Sequence, residues 1–208
     1  MTGTIYLIGG GEILNNGTQI IDQDLSSLAP KGAEFVFFGT ASEDNNDYAE
    51  AIKTVYGSHF EIKIATRKNG KDYAVRAIES ASVIYLGGGQ TELLLKLFSE
   101  WDIKDRLFIA MQMGSHIAGI SAGAQALSSY YVDEESQLPC IKKGWGLVHG
   151  CVYVHATLDS LKNARKLWAE HSRASQYPFI AISENTAWRI GLKGEEKIGT
   201  GEIWLSRQ

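Results

Sequence analysis

Short apolar runs, three of them closing on glycine, alternate along this chain with longer stretches of helical period, a pattern few folds accommodate. The runs fall at 4–9, 34–39, 61–65, 82–87, 116–121, 151–156 and 179–183 and are rich in β-branched and aromatic residues. Stretches at 47–56, 73–82, 91–101, 122–129 and 160–175 carry apolar residues at helical spacing. Helices of this length between strands act as crossovers, and crossovers make neighbouring strands parallel. The pattern therefore predicts an α/β chain of three layers, a mostly parallel sheet flanked by helices. The tail differs. Strands at 187–192, 196–198 and 202–205 are separated by glycine turns, which predicts a small antiparallel C-terminal edge. No repeat, linker or low-complexity tract interrupts the pattern, so residues 1–208 are read as one domain.

Composition narrows the partners. Twenty Lys and Arg against 24 Asp and Glu leave a net charge of −4, with no basic block. Neither nucleic acid nor an anionic membrane surface is an expected partner on that basis. No apolar run approaches the roughly 18 residues of a membrane span. The opening Met1-Thr-Gly-Thr-Ile-Tyr-Leu-Ile-Gly has no basic segment before its apolar residues, so no signal peptide is expected. Cys140 and Cys151 have no CxxC spacing, which gives neither a disulfide framework nor a zinc site. The expectation is a reduced, cytoplasmic protein, monomer or homodimer, with no metal and no cofactor.

Glycine is abundant, 22 residues against three prolines, and it is clustered. Gly9-Gly10-Gly11 and Gly87-Gly88-Gly89 lie just after the first and fourth strands, at the edge where open parallel sheets bind ligands. A dinucleotide fingerprint fails in detail, because Leu14 and Glu92 stand where the third glycine belongs. The first cluster reads equally well as a plain strand-to-helix turn. The second reads as functional because a serine motif stands downstream of it. Gly119-Ile120-Ser121-Ala122-Gly123 matches G-x-S-x-G, the turn that thrusts a serine hydroxyl above a sheet and leaves the next N–H, that of Ala122, open to an oxyanion. A strand leads into the motif and a helix leads out of it, as the chemistry requires; a helix-capping serine is the alternative.

Such a serine needs a base. His59, His116 and His149 open or precede their strands, which puts them at the opposite edge, and His171 falls inside a helix. His155 alone stands at a strand's end. For the group that orients it, Glu184 ends the next strand at the same edge. Asp159 reads as a helix cap, and Asp133, Glu134 and Glu135 as an acidic turn after the nucleophile helix. The order Ser121, His155, Glu184 differs from that of α/β-hydrolases, where the acid precedes the histidine.

Leu7-Ile-Gly-Gly-Gly-Glu12, Phe38-Gly-Thr-Ala-Ser42, Ile84-Tyr-Leu-Gly-Gly-Gly-Gln-Thr91, Gly119-Ile-Ser-Ala-Gly-Ala124, a later histidine and Ser183-Glu-Asn-Thr-Ala187 occur in that order. Together they resemble the family of aspartyl dipeptidase (peptidase E) and cyanophycinase, serine peptidases on a class I glutamine amidotransferase-like fold. The resemblance implies Ser121 as nucleophile, His155 as base and Glu184 as third member. It also implies Gly89 and Ala122 as the two oxyanion donors, with Gly88 and Gln90 beside the substrate's first residue. Where cyanophycinase-like members carry Asp-Gln before the histidine, this chain has Tyr153-Val154.

The leading expectation is hydrolysis of short peptides, first among them dipeptides with an N-terminal aspartyl residue. A cyanophycinase-like β-aspartyl peptidase, a serine esterase or amidase, and a non-catalytic small-molecule binding domain are the alternatives. The stretch 131–146 reads as an irregular loop bordering the site, with Asp133 pairing the substrate's α-amine or standing in for Glu184 as third member. Arg67, Lys68, Lys142, Lys143 and Arg165 are all open as readers of an aspartyl carboxylate.

Overall fold

The computed structural model describes residues 2–134, 136 and 138–206. The first five strands are β1 (Ile5–Ile8), β2 (Glu34–Phe38), β3 (Glu61–Ala65), β4 (Val83–Leu86) and β5 (His116–Ile120). After them come β6 (Ser128–Asp133), β7 (Cys140–Lys143), β8 (Val148–Tyr153) and β9 (Phe179–Ile182). The chain finishes with β10 (Thr186–Gly191), β11 (Gly194–Gly199) and β12 (Ile203–Ser206). Helices are α1 (Gln19–Ser26), α2 (Asn46–Tyr56), α3 (Lys71–Ser80), α4 (Thr91–Glu100), α5 (Lys104–Met113), α6 (Ala122–Leu127) and α7 (Leu158–Glu170).

A seven-stranded sheet has the order β11-β10-β1-β5-β4-β2-β3. Its strands β1 to β5 are mutually parallel, and the β10–β11 hairpin adds antiparallel to β1. Both faces are covered, which is why β1 and β4 are buried at every position. Tyr6, Ile8, Phe35, Phe37 and Tyr85 pack on the side of α1 and α2. Ile5, Leu7, Val36, Phe38 and Leu86 pack on the side of α3 to α6. The mostly parallel sheet and its antiparallel C-terminal edge are as expected.

The strands near 151–156 and 179–183 do not join that sheet. They are β8 and β9, at the centre of a second, five-stranded sheet of order β12-β9-β8-β6-β7. Val148, Val152, Ile180 and Ile182 turn one face of it onto the core beneath α6, and α7 covers the other through Leu161, Ala164 and Trp168. The stretch 131–146 is correspondingly not an irregular loop. Its two ends are β6 and β7, paired antiparallel from Tyr130 opposite Lys143 to Asp133 opposite Cys140; Glu135, between them, lies outside the described residues.

Two helix ends also differ from expectation. α6 stops at Leu127, where Ser128 turns extended and its hydroxyl bonds Gln125 O and Tyr130 O. α7 runs from Leu158 to Glu170, and its cap is Thr157, in a capping box with Ser160, rather than Asp159. His171 therefore lies just past that helix, its Nδ1 accepting the Ala174 N–H at 3.0 Å.

Candidate active site

The site begins with the ends of β1, β4 and β5, which lie side by side. Past β5 the chain must turn at once into α6, and Ser121 takes φ 51° and ψ −111° to do so. Such a conformation costs about 1–3 kcal/mol and persists only when its surroundings enforce it. Here they do. A Cβ on Gly119 would stand 2.5 Å from the Gly123 backbone, and one on Gly123 would stand 2.3 Å from Leu86 O. The two glycines of G-x-S-x-G thus let helix, strand and neighbouring strand touch backbone to backbone. The Ser121 N–H is held by Ile8 O at 2.9 Å. Ala122 opens α6, so its N–H belongs to the first turn, whose donors have no intrahelical acceptor.

His155 and Glu184 come from the other sheet, just beyond β8 and β9. The first glycine cluster brings them over. Gly9 O accepts the His155 N–H at 3.0 Å, Gly10 O accepts the Asn185 N–H at 2.9 Å, and Gly9 N–H donates to Thr186 O at 2.9 Å. A Cβ on Gly10 would lie 2.6 Å from the Glu184 carboxylate and from His155 Cε1. Only a bare backbone passes there. The result is a continuous chain of bonds, with Ser121 Oγ 2.7 Å from His155 Nε2 and Glu184 Oε1 bonded to His155 Nδ1. With the carboxylate on Nδ1, Nε2 faces the hydroxyl and is placed to take its proton.

The turn after β4 closes the third side. Gly88 is close enough that a Cβ there would be 3.4 Å from that of Ser121. Gly89 has φ +127°, and any Cβ would meet Ala41 O at 2.3 Å. A cleft of about 350 Å³ opens over Ser121 and His155, walled by Gly10, Tyr48 and Gly88 and by the apolar Ile13, Leu14, Ala51 and Ile120. Gln90 lines a neighbouring cavity of about 320 Å³ with Tyr131, Asp133 and Lys142. The Asp133 carboxylate lies 2.5 Å from Lys142 Nζ, which also bonds Glu92 at 2.6 Å. Those two bonds push the Lys142 ammonium well above the ordinary lysine range. The carboxylate on His155 is that of Glu184, and the one paired with Lys142 is that of Asp133.

Of the five cations left open by the sequence, Lys142 lines this cavity, whereas Arg67, Lys68, Lys143 and Arg165 are exposed and line neither it nor the cleft. His116 sits at the start of β5 with Nδ1 accepting the Thr4 N–H, and burial holds its imidazole below the usual range. His149 packs tilted against the Tyr177 ring and His59 bonds Ala29 O. Among the described residues no three His, Cys, Asp or Glu side chains gather as a metal site would require. Two contributors escaped the sequence. Gly9 and Gly10 form the bracket for His155 and Glu184, signalled only as a glycine cluster. Tyr48 in the cleft had no signal at all.

The profile of peptidase family S51 matches residues 5–197. A Peptidase E of Actinobacillus pleuropneumoniae serotype 3 (strain JL03) is 33% identical over 107 residues, 51% of this chain and 45% of that one. The Uncharacterized peptidase YgaJ of Bacillus subtilis (strain 168) is 31% identical over 131 residues, 60% of this chain and 55% of that one. The chain thus spans about half the length of these curated relatives. Among solved structures, a peptidase from an acI-B1 Actinobacterium aligns with TM-score 0.73 at 20% identity, covering 98% of this chain and 97% of that one. A putative peptidase E protein from Listeria monocytogenes EGD-e aligns with TM-score 0.66 at 16% identity over 100% of both chains. Among the described residues no helix is long and apolar enough to cross a membrane.

Proposed function

The chain belongs to peptidase family S51, and from that premise we propose that it is a serine hydrolase that cleaves short peptides through Ser121, His155 and Glu184. The observation that supports this reading is the 2.7 Å bond between Ser121 Oγ and His155 Nε2, with Glu184 on Nδ1. Ser121 Oγ attacks the scissile carbonyl carbon while its proton passes to Nε2. Collapse of the tetrahedral intermediate breaks the C–N bond, and Nε2 gives the proton to the leaving amine. Water, deprotonated by His155, then hydrolyses the acyl-enzyme and restores the serine. Glu184 holds the imidazole tautomer and balances its positive charge. The N–H groups of Gly89 and Ala122 receive the oxyanion, each worth about 3 kcal/mol of transition-state stabilisation.

The substrate favoured here is a dipeptide with an N-terminal aspartyl residue lying along Gly88 and Gln90. A free N-terminal aspartyl group carries one ammonium and one side-chain carboxylate. The cavity beside Gln90 offers the opposite pair, Asp133 and Lys142. Rates on Asp-X, β-Asp-X and N-acetyl-Asp-X peptides test this. N-acetylation deletes the ammonium and leaves a carboxylate of the cavity without it, for a loss of about 1–3 kcal/mol, roughly five- to a hundred-fold in kcat/KM. Equal rates on free and acetylated peptides remove the amine recognition and favour an esterase or amidase. Faster cleavage of the β-linked peptide favours the cyanophycinase-like alternative.

A further inference from the structure

A turn of three glycines has no preferred conformation of its own, so something must hold it. Three N–H groups of the segment 87–90 have internal acceptors. Gly87 donates to Phe38 O at 2.9 Å and Gln90 to Ala41 O at 2.7 Å, both backbone to backbone. Gly88 donates to the hydroxyl of Tyr48, at 3.3 Å, from forty residues away on the first turn of α2. This is the one side-chain anchor of the three. The Tyr48 ring is fixed in turn, edge-on to Phe37 with centroids 4.9 Å apart. A Cβ on Gly87 would stand 3.1 Å from both rings, so a side chain there would press on the tyrosine and its neighbour.

From this arrangement we infer that Tyr48 is a positioning residue, whose hydroxyl holds the Gly88 peptide so that the adjoining Gly89 N–H stays at the oxyanion position beside Ser121. The inference rests on the hydrolase reading above. The hydroxyl suits the task. Burial pushes it up to about 12, so it remains an uncharged O–H at neutral pH. It accepts from Gly88 without setting a negative charge next to the developing oxyanion. Tyr48 also lines the cleft, so its loosening would be felt where the reaction occurs.

Tyr48→Phe keeps the ring against Phe37 and deletes only the acceptor. Loss of an oxyanion donor outright costs about 10²–10³ in kcat, and a donor misaimed rather than removed should cost about 10–100-fold. KM should stay within about twofold. A peptide aldehyde, which adds to Ser121 as a tetrahedral adduct, should lose affinity by the same factor as kcat. A merely structural role would instead lower thermal stability and the fraction of active sites, leaving kcat per titrated site and aldehyde affinity unchanged. Phe37→Leu, which keeps the Tyr48 hydroxyl and removes the ring that seats it, gives a second readout if the phenylalanine variant does not fold, with a smaller loss of kcat in the same direction. Unchanged kcat, or a raised KM at constant kcat, overturns the inference and leaves the hydrolase reading standing. A wild type that neither hydrolyses peptides nor reacts with a serine probe removes both.

Discussion

Ser121 leaves a strand buried on both faces, and its conformation is imposed by backbone-to-backbone packing at Gly119 and Gly123. His155 and Glu184 leave strands of the smaller sheet, and their side chains are 48% and 51% exposed. Ser121 is therefore held by the core, whereas His155 and Glu184 are held by a bracket of peptide groups at Gly9 and Gly10. The two regions should fail differently. Damage to the larger sheet should appear first as lost stability, and damage at the bracket first as lost turnover with the fold intact.

The sharpest contrast is between histidines. His155→Ala should lower kcat by about 10⁴-fold or more, as removal of a triad base does. His116→Ala and His149→Ala should leave kcat within a few-fold, because neither lines the cleft. Steady-state kinetics on the three variants checks this, and an essential His116 would put the reactive edge at the wrong end of the larger sheet.

A smaller effect is expected at the bracket. Gly10→Ala sets a methyl 2.6 Å from both His155 and Glu184, at φ +154°. Displacing the base by about 1 Å should cost about 10²-fold in kcat. Far-UV circular dichroism should be unchanged. A variant with wild-type kcat would show that the two sheets do not depend on Gly10 for their alignment.

The smallest effect lies on the buried face of α1. Asp22 is buried, with Tyr56 OH on one oxygen at 2.5 Å and Thr18 Oγ1 on the other at 2.8 Å. Burial raises its carboxyl above the ordinary range despite those bonds. With the folded value above the unfolded one, the native state is at no disadvantage below pH about 4, and stability is lost as pH rises through the raised value. Asp22→Asn removes that dependence. It should be neutral near pH 4 and more stable than wild type near pH 8. Urea unfolding at the two pH values measures it, and a gap that shrinks as pH rises contradicts the assignment.

The same contrast governs what the sequence reveals. Strands buried on both faces read as unbroken apolar runs, such as Ile5-Tyr-Leu-Ile8 and Val83-Ile-Tyr-Leu86, and the elbow motif lies in their register. β6 and β7 carry Ser, Tyr, Asp and Lys among their apolar residues, and no glycine separates α6 from β6, so the helix reads on into the strand. α5 is blurred for another reason. Leu107, Ala110 and Met111 face the core, while Phe108, Ile109 and Met113 are exposed, which leaves no single apolar stripe. α1 is short, and its buried Asp22 sits among the apolar positions that would have marked it. Ser121, His155 and Glu184 were legible as candidates because each follows closely on the C-terminal end of a strand. The division of the strands between two sheets was not, since pairing partners far apart in sequence leave no periodic mark.

The most direct measurement is the mass of the intact protein, and of its peptides, after reaction with a fluorophosphonate probe. One adduct per chain, mapped to Ser121, lost in Ser121→Ala and slowed by orders of magnitude in His155→Ala, is the predicted result. An adduct on another residue, or a rate indifferent to His155, would contradict a nucleophile from one sheet activated by a base from the other.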